Sequence, residues 1–230
     1  INDGYGTGEA PLDYRFNSKD RMTGISWYQS TSLFTGNRLT VGLDYMRFGG
    51  EAWNRFVTDR HKENISDKSE NEIAGYVDFR QTIGSHLTID AGIRADHHTV
   101  SGTEWIPQVG LSVQLPHNAS LKAMASKGFR NPTIRELYMF RPANPDLLPE
   151  RLWNYELSYS QRLFDQTFYY GVNLFYINGD NMIQTIRTDG RPLNVNTGKV
   201  ENWGAEASIA YHIHPTWNLT ANYSWLHMEH

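Results

Sequence analysis

Residues 203–225 read WGAEASIAYHIHPTWNLTANYSW. Trp203, Ala205, Ala207, Ile209 and Tyr211 stand at alternate positions, and after His214-Pro215 so do Trp217, Leu219, Ala221, Tyr223 and Trp225. Glu206, Ser208, His212, Asn218, Thr220, Asn222 and Ser224 fill the places between. Successive side chains on a strand point to opposite faces, so this is a hairpin with one apolar and one polar face. Trp203 and Tyr211 are eight residues apart, as are Trp217 and Trp225, and Phe168 and Tyr176. Eight residues of strand span roughly 26 Å, and a tilt near 40° lowers this to about 20 Å, close to the apolar band between the aromatic girdles of a membrane barrel. The alanines between the aromatics suit a bland lipid-facing band.

The same period of two recurs along the chain, in Leu39–Tyr45, Ile73–Phe79 and Leu87–Ala95 among others. It predicts about ten strands, near 22–34, 37–48, 71–83, 86–97, 104–115, 119–129, 152–163, 167–178, 198–212 and 216–228. Most reach the roughly 9–11 residues that a tilted strand needs to cross a bilayer. Tight turns at Thr35-Gly36-Asn37, Gly84-Ser85, Pro116-His117-Asn118, Asp165-Gln166 and His214-Pro215 alternate with long connections at 49–70, 98–103, 130–151 and 179–197. Short turns on the periplasmic rim and long loops outside are the arrangement of an outer-membrane barrel. The expected fold is therefore all-β, a transmembrane antiparallel barrel segment of about ten strands. With the tight turns in the periplasm, both chain ends fall at the outer rim. That suggests a piece of a larger barrel, with 1–21 the remnant of an extracellular loop and 22–230 the barrel segment.

Composition narrows the function. A net charge of −4 offers no basic field for nucleic acid, and the absence of cysteine removes disulfides, thiolate catalysis and Cys-based metal sites. Aromatics at 13% argue against a disordered chain. There is no glycine-rich phosphate loop and no G-x-S-x-G elbow, so no enzyme activity and no cofactor are expected.

Residues 126–159, SKGFRNPTIRELYMFRPANPDLLPERLWNYELSY, are the most specific stretch. Phe129-Arg130-Asn131-Pro132, then Asn144-Pro145-Asp146-Leu147, then Pro149-Glu150 ahead of an aromatic strand, resemble the late barrel of TonB-dependent outer-membrane receptors. The segments 177–204 and 219–226 resemble that family too. The resemblance implies a plugged barrel of about 22 strands in the bacterial outer membrane, in contact with its lipid. It also implies energy-coupled uptake of a scarce nutrient chelate, of the iron-siderophore or cobalamin type. TonB would act through a plug domain that this chain does not show. Thr133 to Ala143 contains no histidine, which argues against haem as the ligand.

Within this frame the candidate ligand-binding residues are Arg130, Arg135, Tyr138, Phe140 and Arg141 in one loop, and Trp53 in another. Arginine binds anionic chelates bidentately, and aromatic rings stack on planar ligands. No metal site is expected. Asp59 to Glu70 has acids at both ends of a calcium-loop-sized window, but Asn64 stands where glycine is needed. His97 and His98 face opposite sides and, like His212 and His214, read as surface residues. Inward Asp44, Asp78, Arg80, Asp90, Arg94, Glu156 and Glu206 would make the lumen hydrophilic. Three rival readings follow from other classes. A passive porin would use that lumen for ions, and a ten-stranded outer-membrane protease would use Asp96, His97 or His98. A soluble β-sandwich would bury the apolar face against a second sheet.

Overall fold

The computed structural model describes residues 13–139 and 142–229. Its strands are β1 (Tyr14–Thr31), β2 (Asn37–Phe56), β3 (Lys62–Ile83), β4 (Leu87–His98), β5 (Gly102–Leu115), β6 (Ala119–Arg130), β7 (Glu150–Leu163), β8 (Phe168–Thr188), β9 (Arg191–His214) and β10 (Trp217–Glu229). They form one ten-stranded antiparallel sheet in chain order. All ten expected strands are present, and the all-β fold stands.

Register carries one face across the sheet. Trp225 lies opposite Ala205, Ala205 opposite Leu174, Leu174 opposite Leu157, and Leu157 opposite Ala123. Residues directly opposite share a face, so the apolar positions of every strand fall on the same side. Many remain exposed there, Ile93, Val109, Leu157 and Leu174 among them. A continuous apolar face of this size suits lipid rather than water. Among the described residues no helix is long and apolar enough to cross a membrane, so crossing falls to the strands. Asp44, Asp78, Arg80, Asp90, Arg94, Glu156 and Glu206 lie on the opposite, polar face by the same register.

The strand ends depart from expectation. Segments 49–70 and 179–197, expected as long loops, are largely strand: β2 and β3 pair up to Arg55 and Lys62, and β8 and β9 up to Thr188 and Arg191. Residues 14–21, expected within a loop remnant, pair with 49–56 of β2, and residues 1–12 lie outside the described residues. The cause is the solvent. Lipid on one side imposes apolar alternation, and above the bilayer both faces are wet. The sequence there is mostly polar, with apolar residues such as Trp53, Ile65, Ile183 and Leu193 scattered along it, while the backbone ladder continues. The calcium-loop window goes with this, because Lys62 to Glu70 is strand.

The tight turns are where expected. Gly36 has φ +75°, and a Cβ there would lie 2.2 Å from the Thr82 carbonyl oxygen, so the β1–β2 turn requires glycine. On the other rim, among the described residues, only 131–149 is a long connection. It touches both sides of the sheet: Asn131 donates to Glu72 on β3 at 3.1 Å, and the Glu136 carbonyl accepts from Asn194 on β9 at 3.1 Å. Those strands are six apart in the sheet, yet residues five apart in one loop bond one to each. The sheet and its projecting β8–β9 hairpin therefore curl around this loop. The polar face is the concave one.

Candidate functional site

The loop is organised by its own chemistry. Pro132, buried, ends the β6 ladder because it has no amide hydrogen to donate. Thr133 then opens a single π-helical turn, Arg135–Met139. Glu136 Oε2 accepts from the Thr133 amide and hydroxyl, each at 2.8 Å, and the Glu136 amide donates to Thr133 Oγ1 at 3.2 Å. This is a reciprocal capping box, written in the sequence as T-x-x-E. Leu137 and Leu147, both buried, give the loop a small apolar centre.

Arg130 closes the base. Its Nη1 and Nη2 donate to the two Glu136 carboxylate oxygens at 2.9 and 3.1 Å, and its Nε donates to Glu150 Oε2 at 2.6 Å. These bonds hold the Arg130 guanidinium more firmly protonated than usual. The Arg130 bond outweighs burial and lowers the Glu150 carboxyl. Burial works to raise Glu136, but Arg130 and Thr133 prevail and lower it. Glu136, which sequence reasoning passed over, is the hub. The capping-box spacing was the signal that could have revealed it.

On the β2–β4 side the loop rests on a buried polar group. The Lys68 ammonium lies 5.3 Å from the Tyr138 ring centroid. Burial first, and then the neighbouring Glu70, raise the Tyr138 phenol above its ordinary value. Glu70 Oε2 is 3.3 Å from His98 Nε2, both side chains being almost fully buried, and the His98 ring stacks on Phe48 at 5.5 Å. His98 Nδ1 accepts from the amides of Val100 and Ser101 at 3.3 and 3.2 Å. Its hydrogen is therefore on Nε2, which lies near Glu70 without making a hydrogen bond to it, and no ring lone pair is left for a metal. Among the described residues no group of three His, Asp or Glu could hold a metal ion.

His98 is thus a correction, since it is 1% exposed and not a surface histidine. His97 does face outward, hydrogen-bonded to Thr103 at 2.8 Å. Asp96 is engaged with Arg94 at 2.9 Å. Asp96, His97 and His98 therefore do not converge on a catalytic site. On the β8–β9 side, Asn144 donates to the Asn194 carbonyl at 2.8 Å, and Asn196 brackets Leu148 at both its amide and its carbonyl.

Beside the π-turn a cup opens on the concave side of β1 and β2, lined by Phe16, Met22, Phe48, Ile134, Arg135 and Met139. Arg21 is at its edge and pairs with Asp67 at 3.2 Å. Of the expected ligand residues, Arg135 lines this cup. Arg130 and Tyr138 are engaged in holding the loop. Trp53 lies on the β2–β3 hairpin with Lys62 4.4 Å from its ring centroid, and it is not part of the cup. Phe140 and Arg141 lie outside the described residues.

A lipid-facing sheet of ten long strands carrying one organised loop over its concave face has a counterpart among known proteins. The family described as TonB dependent receptor-like, beta-barrel, matches residues 1–229. The chain belongs to that family. It is an outer-membrane β-barrel chain, and the family is one of receptors rather than of hydrolases. The iron-regulated outer membrane virulence protein of Vibrio cholerae is 24% identical over 98% of this chain and 38% of its own length. The vitamin B12 transporter BtuB of Photobacterium profundum is 28% identical over 62% of this chain and 22% of its own. The structure of the siderophore receptor PirA from Pseudomonas aeruginosa superposes with a TM-score of 0.78 at 19% identity, over 92% of this chain and 41% of that one. The chain thus spans well under half the length of these relatives.

Proposed function

We propose that this chain is the part of a TonB-dependent receptor that carries the outer face of a site for a ferric siderophore, taken up with energy supplied through TonB. The observation that carries the ligand reading is the cup. Arg135 lines it beside the Phe16 and Phe48 rings, and a guanidinium next to aromatic rings suits an anionic chelate with planar groups. The iron-regulated relative, aligned over nearly the whole chain, supports the same class. Cobalamin is the second reading, favoured by the match to BtuB over 62% of the chain.

The whole receptor, expressed in cells lacking their own siderophore and cobalamin receptors, provides the test. Uptake of a labelled ferric siderophore, lost in cells without TonB and reduced by Arg135→Ala, is the expected result. Uptake of labelled cobalamin alone would move the assignment to the second reading. Uptake that persists without TonB would sink the receptor mechanism and leave a passive pore.

A further inference from the structure

His98 is 1% exposed, has no lone pair for a metal and is not among the residues lining the cup. Burying a polar ring costs free energy that its contacts must offset. One face of the ring lies on Phe48, with centroids 5.5 Å apart and planes at 27°. Phe48 is a wall of the cup and belongs to β2, two strands from the β4 that carries His98. The His98 ring therefore reaches across β3 to touch it. On the way it passes Glu70, the direct cross-strand partner of Phe48, with Nε2 3.3 Å from Glu70 Oε2. Its other edge is fixed, because Nδ1 accepts from the Val100 and Ser101 amides. Held at that edge, the ring gives Phe48 a stationary surface to lie on.

The second wall of the cup is tied to the same spot. Glu70 neighbours the Tyr138 phenol, and the next residue, Met139, lines the cup with Ile134 and Arg135. The Met139 methyl would lie 3.9 Å from a Cβ built at Gly50, so the π-turn seats close against β2. Phe48 from the sheet and Met139 from the loop thus share one support, Glu70 with His98 behind it. Fixing binding groups before a ligand arrives removes an ordering cost from the binding step.

We propose that His98 is the positioning residue of the cup. It holds the Phe48 ring and, through Glu70 and Tyr138, the π-turn at the spacing the chelate meets, without touching the chelate. The ligand half of this inference rests on the cup reading above. The tie between β2 and the loop does not.

The test uses the full receptor, in detergent for hydrogen exchange and in cells with TonB for uptake of a radio-iron-labelled ferric tris-catecholate. His98→Asn keeps an acceptor for the Val100 and Ser101 amides but is too short to reach Phe48 or Glu70. Exchange should quicken in 131–149 and stay unchanged at 99–101. The concentration for half-maximal uptake should rise about tenfold with the maximal rate unchanged, a split that general destabilisation would not give. Phe48→Leu should raise that concentration as well, and the double variant should raise it by less than the two factors multiplied. His97→Asn, on the outward face next door, should change neither readout. Heat-dependent gel mobility checks that each variant is folded, and His98→Gln replaces the Asn variant should that one fail. Unchanged exchange in 131–149 would overturn the tie. A half-maximal concentration raised by Phe48→Leu but not by His98→Asn would overturn the positioning role. No uptake by the unaltered receptor would sink the siderophore reading instead, and the exchange result would still decide the tie.

Discussion

The concave wall has two halves built on the same alternation but with different chemistry. From β2 to β5 it is charged, and the charges answer one another: Arg94 bonds both Asp44 and Asp96, Arg80 bonds Asp90, and Gln108 donates to Asp78 at 2.9 Å. From β6 to β10 charges are sparser: Ser120, Ser158, Ser160, Ser208, Asn222 and Ser224 line one shallow hollow in which Lys122 and Glu206 are the charged members. A wall that neutralises itself can bury an ion, as Asp96 shows at 1% exposure. A wall of hydroxyls and amides places few such demands on its neighbours. The loop is held accordingly, by a carboxylate and ring contacts on the first side and by asparagines reaching backbone groups on the second.

The largest break in that contrast is expected from Arg94→Ala, which strands Asp96 without its partner. Loss of one member of a buried pair costs about 3–5 kcal/mol, read as earlier denaturant unfolding of the full receptor in detergent. Asn194→Ala removes a buried amide that donates to the Glu136 carbonyl and accepts from Thr185. It should cost on the order of 1–3 kcal/mol and quicken hydrogen exchange in 131–149 more than elsewhere. Arg130→Ala opens the loop base but leaves the sheet intact. Its half-exposed position limits the effect to on the order of 1–2 kcal/mol, seen as protease cutting within 131–149.

Acid should mimic that variant. Glu136 and Glu150 have folded-state pKa values below the usual 4.5, so the unfolded loop binds more protons. The stabilisation is complete above pH 4.5 and fades as pH falls through the lowered values. Proteolysis with an acid-active protease, compared across that range, checks it, and protection unchanged at the acid end would remove the clasp. The smallest effect belongs to the less charged wall. Ser158→Ala loses one hydrogen bond to Asn173, 2.7 Å long, and should cost about 1 kcal/mol or less. A cost matching that of Arg94→Ala would erase the distinction between the halves.

How legible all this was varies by region. The ten strands and the lipid face could be read from alternation, because a bilayer on one side and water on the other stamp a period of two on the chain. The projecting parts of β2, β3, β8 and β9 could not, since apolar residues are sparse there and no bilayer stamps a period on them. The loop boxes were readable as a resemblance, and T-x-x-E at Thr133 to Glu136 was there to be noticed. That Arg130 and Tyr138 would be engaged in holding the loop, while Arg135 lines a cup with Phe16 and Phe48, was not.

What the sequence determined alone is therefore the local and periodic: strand number, which face meets lipid, where the tight turns fall, and the family. Only the tertiary structure decided the partnerships between residues far apart in the chain, such as Asn131 with Glu72, Asn194 with Glu136, and Glu70 with His98. Alternation tells each side chain which face it occupies. Curvature of the sheet tells it whom it meets there, and curvature belongs to all the strands together.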